Sequence, residues 1–142
     1  MDLDELYAKV TAVIVSTLYP ESFGFVLVDK QNEMVTPHQS YYGIPPVMRN
    51  RAISLHESIC GDVVETGQPV IVADVRETTS YLVANAEILS KVAVPIKIDD
   101  EVVGVINAES RHVSAFSHND VVFLTTLAGL ISASLARSRM YH

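Results

Sequence analysis

Apolar and polar positions alternate most regularly in the last third of the chain. Val92, Val94, Ile96 and Ile98 stand against Lys91, Ala93, Pro95 and Lys97, the period-two spacing of a strand with one face on a core. The acidic turn Asp99-Asp100-Glu101 follows, then a β-branched run over residues 102–110 around Gly104, so this stretch predicts a β-hairpin. The polar loop 111–114 leads through Ala115 and Phe116 to a helix start at Ser117. Asp120 stands three residues on, where a capping box usually has Glu or Gln, and the helix runs over residues 119–139. Near the other end, Leu3, Leu6, Tyr7, Val10, Val13, Ile14, Thr17 and Leu18 keep the spacing of a one-faced helix over residues 2–18. Asp2 or Asp4 caps that helix and Pro20 stops it.

Between the two ends the signals are shorter. Residues 22–28 (SFGFVLV) read as a strand, 29–32 as a turn, and 33–42 as a second strand that Pro37 demotes to a sheet edge. Two prolines and a glycine make residues 43–46 a loop. After an extended piece at 51–55, Glu57-Ser58 opens a short helix over 59–66 that Gly67 closes. Residues 69–74 (PVIVAD) predict a short buried strand, 76–81 a polar break, and 82–89 a helix. Periodicity alone thus gives an α+β domain.

At 142 residues, one domain is expected, with no linker or internal repeat. Hydrophobic residues make up 49% and charged residues 19%, which argues for a packed core rather than disorder. The net charge of −7, with ten scattered Lys and Arg, gives no footprint for direct nucleic-acid binding. No run reaches about 18 uninterrupted apolar residues, and the start MDLDELY is acidic where a signal peptide is basic, so no membrane contact and a cytoplasmic location are expected. A single cysteine, Cys60, excludes an internal disulfide and a Cys-rich zinc site.

The order V-P-I, an acidic turn, V-V-G-V-I-N-A-E-S and A-F-x-x-x-D closely resembles the end of a GAF domain, and ICGDVVETGQPVIVADV resembles its middle. GAF domains are small sensory folds of bacterial kinases, regulators and phosphodiesterases. The resemblance implies a central, mainly antiparallel sheet of five to six strands, with the terminal helices on one face and short helices and loops over the other. The related PAS fold is the structural alternative. Residues 1–142 would form one such domain: an N-terminal helix at 1–19, sheet and pocket segments at 20–116, and a C-terminal helix at 117–142.

In the last helix, Val121, Leu124, Ala128, Ile131 and Leu135 occupy one face, while Val122, Phe123, Leu127 and Leu130 occupy another. A helix apolar all round asks to be buried all round, so a homodimer that pairs these helices across a two-fold axis is expected. The resemblance adds a signalling role, with the bundle passing a change to an output domain such as a kinase or transcription regulator.

Chemistry is sparse. Cys60, near a helix N-terminus, sits where a thiol pKa is lowered. One branch of the GAF family reduces free methionine sulfoxide, and Ile59-Cys60-Gly61 resembles a segment of it. That branch needs a nucleophilic and a resolving cysteine elsewhere, and the nucleophile would fall near Ala84, where no cysteine stands. The expectation is therefore a buried structural thiol, no catalytic residues and no enzyme. Light-sensing relatives attach a bilin through a motif that Cys60-Gly61 does not match. Of the family's cyclic-nucleotide motif, Asn107, Phe116 and Asp120 are kept without the lysine and glutamate, and each has a structural explanation. The histidines, His38, His56, His112, His118 and His142, show no paired metal spacing, and haem has no support beyond a single histidine. By resemblance a ligand lies between the sheet and the middle segments, touched by Ser58, Ile59, Cys60, Asp74, Tyr81, Asn85 and Lys91, with Tyr41 and Tyr42 closing one side. The helix start at Ser58-Ile59-Cys60 points to a small polar or anionic molecule. The expected function is a non-catalytic sensory module, with a ligand-free dimerisation scaffold and a GAF-type redox enzyme as alternatives.

Overall fold

Asp2 opens the first helix by accepting the Glu5 amide on its carboxylate at 2.8 Å, which satisfies one of the donors that a helix start leaves orphaned. The computed structural model describes residues 2–78 and 87–140. Helix α1 (Leu3–Thr17) buries Tyr7, Thr11 and Ile14 and ends before Pro20. Strands β1 (Ser22–Asp29) and β2 (Met34–Pro37) follow, then a 3-10 turn at Pro46–Met48 and the two-residue strand β3 (Ile53–Ser54). After a second 3-10 turn, helix α2 (Ile59–Thr66) starts on the Ser58 side chain and stops at Gly67, whose left-handed φ of 68° suits glycine. Strand β4 (Val70–Val72), a 3-10 turn at Val75–Glu77, strands β5 (Ser90–Ile98) and β6 (Glu101–Ser110), and helix α3 (His118–Met140) complete the order.

The six strands form one sheet in the order β3-β2-β1-β6-β5-β4, with every pairing antiparallel. The turn of the β5–β6 hairpin is two residues rather than three. Ile98 pairs with Glu101, and Asp99 and Asp100 both take positive φ, as a twist-matched hairpin turn requires. Along the hairpin, alternation sends Val92, Val94, Ile96, Ile106 and Ala108 to one face. There they pack with Phe23, Phe25, α1, and Leu124, Ala128 and Ile131 of α3. Ala93 and Val105 point to the other face, against Cys60 and Val63 of α2. Phe23 and Phe25 are at most 1% exposed, and burial of each contributes about 2–3 kcal/mol. Three layers therefore result: terminal helices, sheet, middle helix.

Three readings need correction. Strand β2 is internal, because β3 pairs on its outer side. Pro37 is tolerated by parity: the His38 amide points inward to the Phe25 carbonyl, so the neighbouring Pro37 nitrogen faces outward, beyond the two residues that β3 covers. Strand β4 is the far edge of the sheet instead of a buried strand, with Ile71 exposed. Glu87, Ile88 and Leu89 are not helical, and the rest of the expected 82–89 helix lies outside the described residues.

The start of α3 is as expected. Asp120 Oδ2 accepts the Ser117 amide at 2.8 Å, and Asp120 Oδ1 accepts the Tyr19 hydroxyl at 2.6 Å, which fastens the helix start to the chain after α1. Phe116 packs beside Tyr19 in the same corner. Only one stripe of α3 is buried, however; Val122 and Leu130 are more than half exposed. By length and mean hydropathy α3 is also apolar enough to cross a membrane, with 17% of its most apolar window buried.

Candidate functional site

The face of the sheet under α2 carries an unusual set of polar side chains. In β6, Asn107 and Glu109 alternate with Ile106 and Ala108 and so point away from the main core. Register then sets their neighbours: Lys91 of β5 and Ser22 of β1 flank Glu109, while Ala93 and Gly24 flank Asn107. At Gly24 a Cβ would overlap the ring of Tyr41, so the absent side chain is what lets that ring lie on the sheet.

Tyr41 ties the row together. Its hydroxyl donates to Glu109 Oε1 at 3.3 Å and receives Asn107 Nδ2 at 2.5 Å. Ser22 Oγ donates to the same Glu109 oxygen at 2.8 Å. On the other carboxylate oxygen, Lys91 Nζ lies 3.3 Å away, both side chains being about 15% exposed or less. Cys60, from the first turn of α2, places Sγ 3.9 Å from Asn107 Oδ1, and its own amide is taken by Ser58 Oγ at 3.1 Å. That last bond removes one of the donors expected to hold an anion.

Tyr41, Ser58, Cys60, Lys91, Asn107 and Glu109 line one side of a cavity of about 100 Å³, closed elsewhere by Val26, Val35, Ile44, Met48 and Ile53 and bordered by Glu57, Thr78 and Ile88. A water needs about 10–15 Å³ of such room, so the space takes a small molecule of several heavy atoms. Apolar walls with a few convergent polar groups are the usual composition of a ligand site.

Of the residues expected here, Ser58, Ile59, Cys60 and Lys91 line the cavity. Tyr42 does not: it pairs as a bridge with Phe23 and is half exposed, and the tyrosine facing inward is Tyr41. Asp74 is elsewhere, capping the turn at Val75–Glu77 and gripping the Arg76 guanidinium at 2.7 Å. Tyr81, Asn85 and Ala84 lie outside the described residues. Asn107 and Glu109 were missed as lining residues, although their i, i+2 spacing in an apolar strand opposite Lys91 was a readable signal. His38 is buried and engaged structurally, bonded to Asp4 at 2.7 Å and to Ser40 at 2.7 Å.

Burial changes the acid–base character of the site. It pushes the Cys60 thiol up despite the pull of the Lys91 charge, and Glu109 adds to the rise, so the helix-start lowering expected from sequence does not win. Burial, and then Glu109, hold the Tyr41 phenol well above its usual range. For Lys91 burial alone would lower the value, but Glu109 and Cys60 together raise it. Each group therefore binds its proton more tightly folded than unfolded. Their contributions to stability are present below the unfolded values, about 8.5 for Cys and 10 for Tyr and Lys, and are lost as pH rises toward the folded ones. Urea midpoints are expected to stay level from pH 6 to 8 and then fall steadily to pH 10.5, with a shallower fall in Tyr41→Phe. Level midpoints up to pH 10.5 would contradict this electrostatic picture.

The sequence profile of the GAF domain family matches residues 1–136. Among curated proteins, the YtsP protein of Bacillus subtilis is 23% identical over 92% of this chain and 78% of its own length. The free methionine-R-sulfoxide reductase of Saccharomyces cerevisiae is 32% identical over 58% of this chain and 46% of its own length. The structure of the free methionine-R-sulfoxide reductase of Neisseria meningitidis in complex with its substrate superposes with a TM-score of 0.89 at 24% identity, covering 99% of this chain and 82% of the other. These relatives overturn two expectations drawn from the sequence. A non-catalytic sensory module is not supported, and the exclusion of an enzyme fails, because the chain is similar in sequence and in fold to reductases.

Proposed function

The chain belongs to the GAF domain family and has its fold, and from that premise we propose that it reduces a small free sulfoxide, of the methionine-R-sulfoxide class, with Cys60 as the reacting thiol. The observation that carries this reading is Cys60 Sγ lining a cavity beside the Lys91–Glu109 pair and Asn107. The similarity to free methionine-R-sulfoxide reductases supports the choice of substrate.

In the reaction, Cys60 gives two electrons to the sulfoxide sulfur. The sulfoxide S–O bond breaks, the oxygen forms a new bond to Sγ, the thiol proton ends on the resulting sulfenic acid, and the sulfide leaves. The Lys91 ammonium supplies positive charge where the sulfoxide oxygen accumulates negative charge. A dithiol reductant completes the cycle. Its first thiol displaces the hydroxyl as water to form a mixed disulfide with Cys60, and its second thiol releases Cys60 as the thiol. Because burial holds the thiol protonated, turnover is expected to rise with pH through the neutral and mildly alkaline range.

This reading places the protein in the cytoplasm, where dithiol reductants are maintained. The exposed Val122, Phe123 and Leu130 of α3 support the homodimer read from the sequence. The test is to incubate the purified chain with separated methionine-R- and methionine-S-sulfoxide and dithiothreitol, and to quantify methionine by chromatography. Consumption of the R epimer with methionine formed in equal amount is expected. Methionine no greater than in the reductant-only control would overturn the proposal.

A further inference from the structure

We infer that Tyr41 is a positioning residue for the Cys60 thiol, its hydroxyl holding the Asn107 amide with the carbonyl oxygen, not the nitrogen, turned toward Sγ. The inference deepens the proposed reaction and rests on it only in taking Cys60 as the reacting sulfur.

With the Tyr41 proton directed to Glu109, proton accounting sets the orientation. A phenol has one proton to give, and that of Tyr41 lies against Glu109 Oε1, a carboxylate oxygen that cannot donate in return. Ser22 spends its own proton on the same oxygen. The Tyr41 oxygen is left to accept, and the amide end that can donate to it is Asn107 Nδ2, at 2.5 Å. The other end of the amide, Oδ1, therefore faces Cys60 Sγ and accepts the thiol proton at 3.9 Å. Gly24 holds the arrangement in place, because any side chain there would displace the Tyr41 ring from the sheet.

The consequence is chemical. A carbonyl oxygen beside sulfur favours the thiol and opposes the thiolate, whereas an amide N–H at the same place would do the reverse. The other groups facing Cys60 are Lys91 and Glu109 on the hairpin and Ser58 at the start of α2, with Glu57 at the cavity border. Lys91 and Ser58 favour the thiolate and Glu109 opposes it. The Asn107 amide reverses its influence when it turns over, so the Tyr41 hydroxyl, by fixing that amide, adds to the burial that keeps the resting cysteine protonated and guarded from adventitious oxidants.

The test uses the full chain and needs no sulfoxide: the rate of Cys60 alkylation by iodoacetamide is followed against pH, with circular dichroism confirming the fold. Tyr41→Phe frees the amide to turn Nδ2 toward the thiolate, so its alkylation midpoint is expected about one pH unit lower than wild type, roughly tenfold faster alkylation near neutrality. In an Asn107→Leu background the same change should move the midpoint no further. Asn107→Asp, which presents oxygen whichever way it turns, should move it upward by about one unit. An unmoved or raised midpoint in folded Tyr41→Phe, an equal shift in the Asn107→Leu background, or an unmoved midpoint in Asn107→Asp would each overturn the inference. A wild type that forms no methionine but shows these midpoints would overturn the reductase reading and leave the role of Tyr41 standing.

Discussion

Gly61→Ala is expected to lower the melting temperature by about 4–8 °C and to abolish activity along with it. A Cβ at position 61 would run into the carbonyl oxygen of Leu55, a backbone atom with no rotamer to escape into. Alanine gains about 1 kcal/mol of helix propensity over glycine. That gain is outweighed by the roughly 3 kcal/mol or more of overpacking where α2 meets the 3-10 turn at Leu55–Glu57. For a chain of this length each kcal/mol corresponds to about 2–4 °C. Because α2 carries Cys60 and borders the cavity, the displacement also moves the thiol away from Asn107. Thermal melts followed by circular dichroism check this, and a variant melting within about 2 °C of wild type would show that the helix start gives way easily.

Cys60→Ser should behave in the opposite way, keeping the fold and losing the chemistry. Sulfur and hydroxyl oxygen are similar in placement, the pocket walls are unchanged, and the Ser58 bond to the backbone at position 60 does not involve the side chain. A serine hydroxyl neither ionises near neutrality nor accepts oxygen from a sulfoxide. Methionine formation should fall on the order of a thousandfold or more, as when a nucleophile is removed from other enzymes, while the melting temperature stays within a few degrees. Full activity in Cys60→Ser would mean that the reaction does not run through this residue.

Much of the fold was legible because its signals are local. Alternation marked the hairpin, Asp2 and Ser117 with Asp120 marked the two long helices, and Ser58 with Gly67 bracketed α2. Most of what failed depended on partners distant in the chain. Whether Pro37 faces a neighbour is decided by where the two residues of β3 arrive, some sixteen positions later in the sequence. Whether Tyr41 or Tyr42 turns inward depends on the parity with which the chain re-enters the sheet beside Phe23. Asp74 was mistaken for a pocket group, although Arg76 two residues on offered a local salt bridge and the 3-10 turn needed a cap. Asn107 and Glu109 were readable as an inward pair only by placing Lys91 and Ser22 beside them, and that placement is a register across three strands.

Pro37 has a further consequence beyond this chain. Past the end of β3, the outer rim of β2 has no strand paired beside it, and a rim with free donors and acceptors is a template onto which another extended chain can add. At that point the sequence supplies a residue with no N–H to offer. An incoming strand would find one rung missing at the place where the short β3 ceases to shield its neighbour, so the same proline that looked like a break in the strand acts as a stop against runaway sheet growth.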